Sequence, residues 1–286
     1  MQSDSATPDT ELNARIAAWY DGFSAAWENA FGEHFHHGFY GSDQKKSLYQ
    51  AQNDMVTELL RFGNMTSAQK ILDLGCGIGG ASLDLLTRLN ARYVTGLTIS
   101  EGQANRARER AAELRFSSQS RFDVGDACAP PYVPQQFDLV WAMESAEHMP
   151  DKVRFLQSCA QMLAPGGTLL LSFWCSRTMP PPLEPREERR LQKLYASLHA
   201  TLVPLEDYAD AAQQAGLQGI QTADWSDEVA PFWQDAAKTV LRGGHLKPFI
   251  QVGGELWDSV YGMYHLMRGH RNGLVRYGVL VAHKPL

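Results

Sequence analysis

The chain reads as an α/β protein: a doubly wound, mostly parallel seven-stranded sheet carrying a helical, aromatic cap. Three observations predict this. In Lys70-Ile71-Leu72-Asp73-Leu74-Gly75-Cys76-Gly77-Ile78-Gly79-Gly80, an apolar run of strand length stops at a glycine cluster, and a helical pattern follows with Ala81, Leu85, Leu86 and Leu89 on neighbouring turns. Strand and helix patterns then alternate in the rhythm of a parallel sheet with helices on both faces. Finally, Asp73, Ser100, Asp126 and the segment Glu144 to His148 all fall at carboxyl ends of predicted strands, where such sheets hold ligands.

Taken in order, Met1 to Leu12 is polar and acidic and reads as a frayed tail, without the basic-then-apolar order of a signal peptide. Glu11 to Asn29 reads as an amphipathic helix or a pair of helices, with Ile16, Trp19, Tyr20, Phe23 and Trp27 on recurring turns. The loop from Phe31 to Gly41, holding His34, His36 and His37, reads as an aromatic lid over a ligand; a metal site and plain packing are the alternatives, and we expect no metal. With a helix at Gln50 to Phe62, residues 1–65 form an N-terminal helical and lid region.

Residues 66–175 form the nucleotide-type core, with strands at Ile71 to Leu74, Tyr93 to Ser100, Arg121 to Val124, Phe137 to Met143 and Thr168 to Trp174. The fourth is nearly all apolar and therefore buried on both faces. The arginines of the helix at Glu101 to Phe116 read as a solvated face, and the helix that packs Val153, Leu156, Ala160 and Leu163 inward ends at Pro165-Gly166-Gly167. Residues 176–204 are a first cap insertion. Residues 205–286 finish the core, with strands at Leu217 to Ala223 and Leu274 to Ala282 around a second insertion at about 225–273 that holds Phe232, Trp233, Phe249 and Tyr261.

Composition narrows the function. Apolar residues make up 44% and charged residues 20% of 286 positions, the profile of a globular protein. A net charge of −6 gives no basic surface for nucleic acid. No apolar run approaches the roughly 20 residues of a membrane span. Cys76, Cys128, Cys159 and Cys175 show no paired metal spacing, so reduced thiols in a cytoplasmic protein are expected. A homodimer is compatible with the sequence.

The glycine turn fits the G-x-G-x-x-G dinucleotide fingerprint, but the second strand ends in hydroxyls rather than the acid that would hold a ribose. Asp73, inside the first strand's end, would repel a pyrophosphate and suits a ligand carrying an ammonium and a sulfonium. The whole string D-L-G-C-G-x-G-G resembles the first motif of class I S-adenosylmethionine (SAM) methyltransferases, which are Rossmann-like.

From about Tyr20 onward the chain resembles one branch of that superfamily, the gamma-tocopherol methyltransferases. The similarity rests on Trp27 and His36-His37-Gly38-Phe39-Tyr40, on Gly96-Leu97-Thr98-Ile99-Ser100 with Gln103, on Phe137 through Lys152, on Ala223-Asp224-Trp225-Ser226 and on Val229-Ala230-Pro231-Phe232-Trp233. The resemblance implies a transferase that uses SAM and acts on a small hydrophobic, prenylated aromatic acceptor, at a tocopherol-type phenol ring carbon, in secondary metabolism. Nitrogen methylation of an indole-type alkaloid, carbon methylation of an isoprenoid alkene, and cyclisation on a SAM fold are the alternatives. Cofactor contacts are expected from Tyr20, Asp73, Gly75, Cys76, Gly77, Thr98, Ile99, Ser100, Gln103, Asp126, Ala127 and Met143. Acceptor contacts are expected from Trp27, His37, Tyr40, Trp174, Phe232, Trp233 and Tyr261. His148 is the candidate base, because its charge switches near neutral pH, with scaffolding of its loop as the competing role. Glu144 is the candidate partner of the sulfonium.

Overall fold

The computed structural model describes residues 8–42, 45–242 and 254–286. Its centre is a seven-stranded sheet in the order β3-β2-β1-β4-β5-β7-β6. The strands are β1 (Lys70–Leu74), β2 (Tyr93–Thr98), β3 (Ser120–Val124), β4 (Phe137–Met143), β5 (Leu163–Ser176), β6 (Gln218–Asp224) and β7 (Val275–His283). β1 to β5 are parallel, and β7 runs antiparallel between β5 and β6. Strand order reverses between β1 and β4, which opens a crevice at their carboxyl ends. β4, flanked on both edges and covered on both faces, keeps Trp141 fully buried. The polar sequence of β6 is explained by its place at the sheet edge.

On one face lie α2 (Leu48–Phe62), α3 (Gly80–Arg88) and α4 (Glu101–Glu113); on the other lie α5 (Lys152–Met162) and α7 (Leu205–Gln214). Above the carboxyl edge sit α1 (Pro8–Phe31), α6 (Pro185–Leu198), the short α8 (Ser226–Val229), α9 (Phe232–Arg242) and α10 (Gly254–Arg271). α6 packs along α10, and α1 reaches α4, α9 and α10. The middle of the second insertion, including Phe249, lies outside the described residues.

Three expectations are corrected. The N-terminal segment is not tail as far as Leu12: α1 begins at Pro8, and Leu12 and Ile16 are buried one turn apart. The arginines of α4 are not all a solvated face, since Arg106 and Arg110 both grip Glu28 of α1, Arg106 at 2.8 Å. β5 starts at Leu163 rather than Thr168, because the chain pairs with β4 on both sides of the glycines. Phe137 faces Leu163 and Leu139 faces Thr168, and a register shift with Gly166 at φ +75° absorbs the extra residues.

Candidate active site

Two clefts meet at the carboxyl edge of the sheet. The first, of about 870 Å³ counted to its open mouth, lies beneath α1 at the ends of β1, β2 and β4. Its floor is the β1–α3 turn. Gly75 has φ +84°, a region closed to branched residues, and a Cβ there would run into the Ser145 side chain. Asp73 is 2% exposed and accepts from Ser82 Oγ at 2.5 Å. Burial pushes its carboxyl up to about 7, with the Ser82 hydroxyl as the counterweight. A buried acid in this state fits a cationic ligand, which would replace the water it has lost. Leu97, Ile99, Ala127 and Met143 give the same cleft an apolar side suited to an aromatic base.

Of the expected cofactor residues, Tyr20, Asp73, Gly75, Cys76, Gly77, Thr98, Ile99, Gln103, Asp126, Ala127 and Met143 all line this cleft. Ser100 does not. Its Oγ accepts from Gln103 N–H at 3.0 Å to cap α4, and donates to Asp21 of α1. Asp126 lines the cleft while closing a turn, accepting from Cys128 N–H at 2.7 Å and from Asn13 of α1 at 3.2 Å.

The second cleft, of about 640 Å³, is walled by Trp19, Phe23, Trp27 and Trp174 and by Leu194, Leu198, Ala200, Leu202, Met263 and Leu266 of the cap side. It shares Tyr20, Phe35, Glu144 and His148 with the first. Trp27, His37 and Trp174 lie here as the sequence led us to expect. Four expected acceptor residues do not line it. Tyr40 is buried behind, donating to Asp235 at 3.1 Å. Phe232 packs on the back of His37, ring centres 4.2 Å apart, and Trp233 donates Nε1–H to His270 at 3.0 Å. Tyr261 faces outward, 43% exposed, with its ring against His265.

The shared wall is polar and tightly held. Glu144, at φ +50° just past β4, takes the His37 backbone N–H on Oε1 and His37 Nδ1–H on Oε2, each at 2.6 Å. The Tyr277 hydroxyl adds a bond to Oε1 at 2.9 Å. Burial alone would push this carboxyl up, but the adjacent His37, by its electrostatic pull and its hydrogen bonds, brings it below the usual range. His148 donates from Nδ1 to the His199 carbonyl at 3.4 Å and accepts on Nε2 from the Tyr20 hydroxyl at 2.8 Å. Burial pulls its imidazole down to about 4, so it is neutral.

The neighbouring Glu147 was not expected. It is 5% exposed, its Oε2 has no partner, and burial followed by the Glu144 charge pushes it up to about 8. Lys152, pulled down to about 8 by burial, binds the carbonyls of Ala146, Glu147 and Met149 instead of a carboxylate. Asn13, Ile16 and Phe35 were also missed as cleft residues.

The histidine loop is pinned from within. Gln52 Nε2 donates to the carbonyls of His34 and His36 at 2.9 Å each, and the two rings meet at 3.2 Å. Burial, then the neighbouring His34, drives His36 down to about 3. Among the described residues, no cluster of three or more His, Cys, Asp or Glu is placed to hold a metal, and no helix is long and apolar enough to cross a membrane.

Residues 71–167 match the family described as Methyltransferase domain. The chain is 35% identical to the chloroplastic tocopherol O-methyltransferase of Arabidopsis thaliana, over 98% of this chain and 85% of that protein. Among solved structures, the [4+2]-cyclase SpnF superposes with a TM-score of 0.80 at 22% identity, covering 96% of each chain. The geranyl diphosphate C-methyltransferase of Streptomyces coelicolor A3(2), bound to Mg2+, geranyl diphosphate and S-adenosyl-L-homocysteine, superposes with a TM-score of 0.76 at 19% identity, over 98% of this chain and all of that one (100%). Those two likenesses show the fold. The relative that spans nearly the whole chain shows the family: this chain is a SAM-dependent methyltransferase, and it belongs to the class I branch that contains the tocopherol methyltransferases.

Proposed function

We propose that the enzyme methylates a prenylated phenol at a ring carbon beside the hydroxyl, holding SAM in the first cleft and the acceptor in the second. The observation that carries this reading is the pairing of a polar strand-end cleft with an aromatic and aliphatic chamber across one wall. Tocopherol is a hydrophobic acceptor of this chemical type, and it appears in the name of the relative at 35% identity. SAM, when bound, supplies a methyl group on a sulfonium whose sulfur leaves as a neutral thioether.

The chain's own residues position and desolvate. Asp73 holds the ammonium end of SAM, and the apolar side at Leu97, Ile99 and Ala127 receives the adenine. Glu144 sets a fixed negative charge where the two clefts join, which would attract the sulfonium and orient it toward the acceptor, a binding and positioning role. Tyr20 and Phe35 close the wall, and the tryptophans beyond exclude water, so proximity and desolvation carry most of the catalysis. The four cysteines form no disulfide with one another, in keeping with a cytoplasmic setting.

Incubation with methyl-labelled SAM and a panel of prenylated phenols, indole alkaloids and isoprenoid diphosphates tests the reading. Label in a ring-carbon methyl of a prenylated phenol is the expected result. Label confined to an alkaloid nitrogen or a diphosphate alkene overturns it.

A further inference from the structure

We propose that His37, backed by Glu144, is the group that takes the proton of the acceptor's hydroxyl; the proposal rests on the phenol reading above. His37 is bound at two points by one carboxylate, through its backbone N–H and through Nδ1, each at 2.6 Å. That hold fixes both the ring's orientation and its tautomer. With the proton on Nδ1, Nε2 carries a lone pair, the arrangement by which a carboxylate prepares an imidazole to act as a base.

Nε2 is buried and has no hydrogen-bond partner, in a residue only 3% exposed. His37 lines the acceptor chamber, and its ring is enclosed by Trp174, Phe232 and Trp233, with ring centres 4.9, 4.2 and 4.8 Å away. A buried acceptor left without a donor is costly, and a hydroxyl arriving with the substrate relieves that cost. His148 differs in kind, since both of its ring nitrogens are already engaged, one by Tyr20 and one by the His199 carbonyl.

In the reaction the acceptor's O–H bond breaks and a bond from Nε2 to that proton forms. The electron pair left on oxygen spreads to the adjacent ring carbon, which forms the new bond to the methyl as the methyl–sulfur bond breaks and its electron pair stays on the departing thioether sulfur. The imidazolium so formed lies against the Glu144 carboxylate. Nε2 then returns its proton to the oxygen and takes the proton of the methylated ring carbon, whose C–H electron pair restores aromaticity; that proton passes to solvent as the product leaves. One proton is released overall.

The His37→Asn variant keeps a donor for Glu144 and removes the Nε2 lone pair. Its turnover should fall about a hundredfold or more, with SAM affinity unchanged, and a more acidic phenol should recover part of the loss. In the wild-type complex with S-adenosylhomocysteine, the His37 Nε2 nitrogen resonance should move when a prenylated phenol is added. Unchanged turnover in the variant, or a loss indifferent to phenol acidity, overturns the proposal while leaving the phenol reading in place. A resonance that moves in a wild-type protein unable to methylate phenols removes the phenol reading and keeps the hydroxyl-binding role of His37. A resonance that does not move overturns the role of His37 whether or not the variant folds.

Discussion

The two clefts share a wall but are made of different material. The first is built from strand ends and the turns that follow them: Gly75, Gly77, Thr98, Gly125 and Asp126 stand within a few residues of β1, β2 and β3, so the sheet's hydrogen bonds fix them. The second takes half of its lining from side chains on α1, α6 and α10, elements set against one another by apolar packing, and closes with Trp174, the loop after α6 and the wall it shares with the first. A cleft of the first kind holds one ligand and resists change. A chamber of the second kind can be reshaped by single substitutions, which lets acceptor choice vary while the methyl donor stays the same.

The largest expected effect lies in the first cleft. Gly75→Val should abolish SAM binding in calorimetry and also lower stability by ~3 kcal/mol, because φ +84° and the adjacent Ser145 side chain both exclude a branched residue. A variant that folds normally and binds SAM breaks the claim that the sheet's turn builds this site.

Asp73→Asn should weaken SAM by about tenfold to a hundredfold, the worth of a charged hydrogen bond. The pH behaviour sharpens the assignment. Burial raises the folded-state carboxyl from 3.8 to about 7. Within that window the folded, ligand-free protein keeps a proton that the unfolded chain has lost, so stability falls as pH rises, and the asparagine variant should lose this slope. A cationic ligand needs the ionised form, so SAM affinity should rise with pH up to about 7 and then level. An affinity flat across that range contradicts the placement of the ammonium at Asp73.

The chamber should respond differently. Ala200→Trp fills part of the second cleft, and should raise the acceptor KM about tenfold with SAM affinity unchanged. A matching loss of SAM affinity would mean the clefts are not separate. The smallest effect is expected at Tyr261, which faces outward from α10: Tyr261→Ala should leave acceptor KM within about twofold, a change under ~0.5 kcal/mol.

The same difference explains what the sequence made legible. Strand-end positions follow from local patterns, so Asp73 and Asp126 could be placed from spacing and the rule that ligands meet such sheets at strand termini, while Thr98 and Met143 came with the family resemblance. Ser100 was misplaced despite a signal: Ser100 followed by Gln103 is the start of a helix, and the serine caps it. Asn13 and Ile16 fell in the predicted first helix, but nothing local tied that helix to the strand ends, so only the packing of α1 brings them to the cleft. Cap residues depend on the rotation of helices against partners far away in sequence. An aromatic such as Tyr261 reads the same whether it faces the chamber or solvent, while Phe232 and Trp233 form the layer behind His37. The role of Glu147 depended on its burial beside Glu144, which no spacing reveals.

The central claim is that cofactor and acceptor occupy separate clefts joined at Glu144, and calorimetric titration of a prenylated phenol into protein saturated with S-adenosylhomocysteine tests it most directly. The proposed function predicts a ternary complex with one phenol per chain, formed without loss of S-adenosylhomocysteine affinity and weakened by Ala200→Trp. Displacement of S-adenosylhomocysteine by the phenol would contradict it.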